Sequence, residues 1–163
     1  MDYLASSIIT GVGATAVVDL WGLARKPLLG QPVPDYRLLG RWVGHMRHGR
    51  FRHDRIAAAA PVPDEDRIGW AVHYLTGIGF AALLVGAAGL EWVRHPTPGP
   101  ALLTGLVTVA APFLVMQPAM GAGIAARRTP RPAAARVQSL TTHAVFGAGL
   151  YLAGWLASLW VTT

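Results

Sequence analysis

Four apolar runs dominate this sequence, at about 3–24, 68–92, 101–126 and 139–161, and each is long enough to cross a bilayer core, which takes about 20 residues of helix. A backbone inside hydrocarbon must satisfy its own polar groups, so such a chain can form only helices or a closed barrel. Continuous apolar runs, rather than short alternating ones, select helices. The fold class is therefore all-α: an integral membrane four-helix bundle, expected as a single membrane domain over 1–163. Composition agrees, with 53% hydrophobic and 13% charged residues. The first run has no basic segment before it and Arg25-Lys26 after it, so it reads as a retained helix rather than a cleaved signal peptide.

Charge sets the expected orientation. The loops at 25–67 and 127–138 hold nine and four of the fourteen Lys and Arg residues, and the turn between the second and third runs holds one. The excess of Lys and Arg on cytoplasmic loops then places both basic loops in the cytoplasm and both termini outside. A bacterial inner membrane is the expected location, with the lipid bilayer as principal partner. Within the first loop, Leu38, Leu39, Trp42, Val43 and Met46 recur at helical spacing among Arg37, Arg41, Arg47 and His48, which predicts a cytoplasmic amphipathic helix lying in the headgroup layer. Arg41, His45, Arg50 and His53 are its candidate contacts to anionic lipid headgroups. The alternative for these histidines is a solvated basic face.

The third run is interrupted. Pro112 and Pro118 each remove a backbone donor and crowd the preceding turn, leaving the carbonyls of about Thr108 and Leu114 without their usual partners. Met116, Gln117 and Met120 lie beside them. With the helices alternating in direction, Asp19, His73, Met120 and His143 each fall six or seven residues from the nearest cytoplasmic-side basic residue, or on the order of 10 Å along their helices. Stripes of small and polar residues, such as Ser7, Gly11, Thr15 and Asp19, or Ser139, His143, Gly147 and Tyr151, should turn these residues toward the interior.

Ionisable groups at membrane depth are costly and ask for a reason. The expected function is accordingly an inner-membrane protein that binds a haem b or copper cofactor in this polar layer, with redox chemistry if so. His73 and His143 would be the metal ligands, Met116, Met120 and Gln117 would line the cofactor site, and Asp19 would orient an imidazole. Plain structural roles, as interhelical hydrogen bonds and core packing, compete for the same residues. Two further classes fit. One is a small permease or exporter component built on the proline-broken helix, needing a homo-oligomer or a partner membrane protein. The other is a non-catalytic scaffold or lipid-binding protein. Whether the chain is an enzyme stays open, and no catalytic residue is assigned. Cysteine is absent, which excludes disulfides, zinc-thiolate and iron-sulfur sites. No phosphate loop, nucleotide fingerprint or metalloprotease signature occurs, and no nucleic-acid partner is expected.

The runs Gly40-Arg41-Trp42-Val43-Gly44-His45-Met46, Gly49-Arg50-Phe51-Arg52-His53, His73-Tyr74, Ala111-Pro112-Phe113-Leu114-Val115-Met116-Gln117-Pro118 and Arg128-Thr129-Pro130-Arg131-Pro132 resemble a bacterial family of four-helix integral membrane proteins known only as a domain of unknown function, DUF2938. The resemblance covers nearly the whole chain. It implies an inner-membrane protein and carries no activity.

Overall fold

The computed structural model describes residues 2–161, the side chains of Trp160 and Val161 excepted. The described residues are all-α. Five longer helices appear: α1 (Tyr3–Leu29), α2 (Tyr36–Met46), α3 (Glu65–Arg94), α4 (Pro98–Val107) and α6 (Pro132–Val161), with a one-turn α5 (Gln117–Ala119) between the last two. Three helical stretches are long and apolar enough to cross a membrane: α1, α3 and 98–119. At ~1.5 Å per residue, the 30 residues of α6 also exceed a bilayer core in length. The chain ends, on which the expected placement of the termini bears, lie outside the described residues, as does the Trp160 side chain.

The boundaries differ from the sequence expectation where local chemistry acts. Helix α1 continues through Pro27 to Leu29 and stops at Gly30, whose left-handed backbone (φ 65°) lets its N–H reach the Lys26 carbonyl. The third run does not stay helical to residue 126. Regular helix loosens at 108–109, four residues before Pro112, and Pro112–Met116 winds as a π-helix in which the Gln117 N–H bonds the Pro112 carbonyl. A wider turn absorbs the donor that proline lacks. Gly121 (φ 97°) and Gly123 (φ 76°) then end the helix.

By Cα proximity the chain forms two compact units. Unit 1 comprises the described parts of 1–33, 74–108 and 141–163. Its core is Ala14, Val18, Ala81, Leu84, Val85, Trp92, Val93, Ala101, Phe146 and Leu150, drawn from α1, α3, α4 and α6. The predicted small-residue stripes lie within this unit, Ser139 excepted. A Cβ on Gly11 would stand 2.5 Å from the Ile78 Cα, and one on Gly105 would stand 2.6 Å from the Gly147 Cα, so these helices touch backbone to backbone. Of the buried hydroxyls on α1, those of Ser6, Ser7 and Thr15 donate to carbonyls one turn back at 2.7, 2.8 and 2.7 Å, while that of Thr10 has no partner. Leu4, Ile8, Val12, Leu83, Leu103, Val107, Leu152 and Leu156 are exposed, an apolar surface suited to lipid. Trp92 is buried. Its Nε1–H donates to the Thr97 carbonyl at 3.0 Å, and its ring covers Gly154.

Unit 2 comprises Pro34–His73 and Val109–Leu140. Here α2 forms where the sequence places it, capped by Asp35, whose carboxylate accepts from the Arg37 N–H at 3.1 Å. Its buried positions are Gly40 and Gly44. Gly40 lies against the Glu65 carbonyl with no space for a Cβ, and Gly44 faces Val62.

Candidate functional site

In unit 1, Asp19 accepts a hydrogen bond from the Tyr74 hydroxyl at 2.9 Å. His143 Nδ1 lies 3.1 Å from both the Gly105 carbonyl and the Thr108 hydroxyl. The Thr108 hydroxyl donates to that same carbonyl at 2.8 Å, so the consistent tautomer carries its proton on Nδ1 and leaves Nε2 as the accepting nitrogen. This arrangement follows from Gly105, which lets the two helices approach closely enough for the carbonyl to be reached.

In unit 2, His73 stacks on Tyr36 with ring centroids 4.1 Å apart and meets Trp70 edge-on at 6.0 Å. Gln117 donates from Nε2 to the Ser139 hydroxyl at 3.2 Å, while its Oε1 is buried without a partner. Met116 and Met120 are half-buried. Their carbonyls are used in the backbone: Met116 accepts from the Met120 N–H at 2.9 Å, and Met120 accepts from the Ile56 N–H at 3.1 Å. The expected cofactor residues are thus divided between the units, each with contacts of its own. Among the described residues, no three His, Asp or Glu side chains stand together as a metal ion would need.

The expected headgroup contacts fare differently from one another. Arg41 turns inward, with a bidentate pair to Glu65 at 2.7 and 2.8 Å and a further bond to the Ala59 carbonyl at 3.1 Å. The two side chains are only 13% and 14% exposed, and Glu65 also accepts from the Val62 N–H at 3.1 Å. Arg41 therefore closes the first loop onto the start of α3. His45 Nε2 lies 2.9 Å from the Ala60 carbonyl, and its ring meets His53 edge-on at 5.0 Å. Arg50 is exposed. His53, placed by the sequence on a solvated face or at the headgroups, is 5% exposed, and neither ring nitrogen has a hydrogen-bond partner. Burial, reinforced by the positive charge of Arg50 and by the neighbouring His45, pushes its pKa below the ordinary histidine value.

The family model "Protein of unknown function (DUF2938)" matches residues 8–157. The chain belongs to this family. No curated protein and no solved structure matches it, so the function of this DUF2938 member has to be argued from its own residues. Sequence reasoning missed Glu65 as the partner of Arg41, Tyr36 as the partner of His73, and Thr108 as the partner of His143. The only signal for the first was a carboxylate at the start of a helix, which the helix dipole already explains.

Proposed function

We propose that this protein is a four-helix bundle of the bacterial inner membrane, with both termini outside, whose basic unit 2 faces the cytoplasm and binds phosphate groups of anionic lipids. One observation carries this reading. Unit 2 holds eleven arginines and five carboxylates, a net charge of +6, whereas unit 1 holds three basic and three acidic groups and nets zero. Clustered guanidinium groups suit the negative potential of the cytoplasmic leaflet, at ~1 kcal/mol per basic residue near the surface. Helix α2 adds an amphipathic element. Native mass spectrometry of the detergent-purified chain should find phosphatidylglycerol or cardiolipin retained in preference to phosphatidylethanolamine. Replacing Arg47, Arg50 and Arg52 together by Gln should remove that preference. Equal retention of zwitterionic and anionic lipids by the unaltered chain would sink the proposal.

A second reading keeps the redox possibility on one residue. The Nδ1 of His143 is anchored and its Nε2 left to accept, so His143 would hold haem b or copper through Nε2. An ultraviolet-visible spectrum with elemental analysis of the folded protein tests it: a colourless, metal-free preparation contradicts it.

A further inference from the structure

We infer that His53, Arg50, Arg52 and Arg128 form a discrete site for a single phosphate group, distinct from the diffuse attraction of the basic surface. The inference deepens the reading of unit 2 as a lipid-phosphate surface, and rests on that reading only for the source of the phosphate.

The first argument is an unmet need. His53 is buried, yet both ring nitrogens lack partners, and buried polar groups in native proteins are almost always satisfied. His53 lines a cavity of about 190 Å³ together with Arg50, Arg52, Asp54, Pro118 and Arg128. Three guanidinium groups thus share a small space with one carboxylate. An anion there relieves their mutual repulsion, and the planar donor fork of arginine matches phosphate oxygens.

The second argument is that the backbone builds this place without a ligand. The His53 N–H donates to the Ala119 carbonyl at 2.8 Å, and the Ile56 N–H to the Met120 carbonyl at 3.1 Å. These carbonyls come from the end of the proline-broken helix, beyond its π turn. Gly121, at φ 97°, lies so close to the Asp54 carbonyl that no Cβ fits. The Arg128 N–H bonds the Ala122 carbonyl at 2.8 Å. The segments carrying His53 and Arg128 are therefore fixed against residues 119–122 before anything binds, which lowers the ordering cost of binding.

Size narrows the ligand. The cavity is smaller than the roughly 300–1,000 Å³ usual for small-molecule pockets, so it suits a phosphate group rather than a whole nucleotide. A neighbouring cavity of about 400 Å³, lined by Arg50, Asp54, Arg55, Ala58 and Ala59, shares two residues with it and offers room for what the phosphate carries. The shared chemistry is a phosphate monoester, a diester or the free ion.

The test uses the full chain in a maltoside detergent, with histidine ring resonances followed by NMR as inorganic phosphate is added. The His53 signals, identified by their loss in His53→Gln, should shift and saturate. Arg128→Gln and Arg52→Gln, both exposed and able to fold normally, should each weaken the apparent affinity roughly tenfold, and Arg131→Gln, outside the cavity, should leave it nearly unchanged. Nanodiscs of phosphatidylcholine with and without phosphatidylglycerol, free of inorganic phosphate, identify the source. A His53 shift with phosphatidylglycerol assigns a headgroup, and a shift with inorganic phosphate alone assigns a soluble ligand. No saturable shift with either probe, or equal weakening by Arg131→Gln, would overturn the site. Retention of anionic lipid with unmoved His53 signals overturns the site and leaves the surface reading intact. A saturable shift without lipid preference does the reverse.

Discussion

Unit 1 is held together by what its helices lack, and unit 2 adds polar links to close glycine contacts of its own at Gly40 and Gly121. In unit 1, Gly11, Gly77, Gly105 and Gly147 bring backbones into direct contact, and the buried hydroxyls of Ser6, Ser7, Thr15 and Thr108 bond to carbonyls one turn back. In unit 2, short polar links close loops: the Arg41 side chain to Glu65, and the backbone N–H groups of His53 and Ile56 to the Ala119 and Met120 carbonyls. The proposed membrane setting accounts for the difference. Helices in lipid gain little from burying apolar surface against one another and rely on close packing, whereas a unit at a polar surface can use charge-assisted bonds and leave arginines over for a partner.

The contrast can be broken at its strongest point first. Gly105→Leu places a Cβ 2.6 Å from the Gly147 Cα and N and from the His143 carbonyl, where no side chain can move aside. The cost should exceed the ~1–3 kcal/mol of ordinary overpacking, and the purified variant should lose its cooperative thermal transition in detergent. A wild-type transition would show that unit 1 does not depend on this approach. Next in size, Arg41→Met strands the Glu65 carboxylate and should destabilise unit 2 by about 3 kcal/mol, measured as faster hydrogen exchange at 57–65. Adding Glu65→Leu should recover much of that loss, because the second charge is then no longer buried alone.

Smaller effects sharpen the picture. Asp35→Ala removes the cap of α2 and an exposed pair with Arg37, and should cost about 1 kcal/mol, read as faster exchange at the start of α2. The smallest expected effect is one of pH. The folded pKa of His53 lies below its unfolded value of about 6.5, so the folded state binds fewer protons. Its contribution to stability is present above that value and is lost as pH falls through it. Exchange at 53–56 should therefore quicken on mild acidification. The groups around the ring, His45, Arg50, Arg52 and Arg128 against Asp54, are mostly cationic and reinforce the sign. Inorganic phosphate should reduce the slope, and a slope of opposite sign would show that His53 is not held neutral.

Much of the fold was legible because hydropathy and charge are local signals. The apolar runs, the amphipathic helix at Tyr36–Met46 and the disturbance around Pro112 follow from neighbouring residues alone. The candidate site was far less legible. Arg41 and Glu65 are 24 residues apart, and nothing in either stretch marks them as partners. His53 reads as a solvated residue among arginines, because its burial depends on Ala119, Met120 and Gly121 meeting residues 53–56 from far along the chain. The sequence offers Met116, Gln117 and Met120, within the stretch 112–120, as cofactor-lining residues. The Ala119 and Met120 carbonyls of that stretch serve as the anchor for the loop that carries His53.

The account stands on unit 2 recognising anionic phosphate at the membrane surface. Hydrogen exchange of the full chain in nanodiscs of phosphatidylcholine, with and without phosphatidylglycerol at one ionic strength, tests this most directly. Phosphatidylglycerol should slow exchange at 36–56 and 121–131, with the effect weakening as salt screens the charges, and leave 74–108 unchanged. Identical exchange in the two lipids, or protection confined to unit 1, would contradict it.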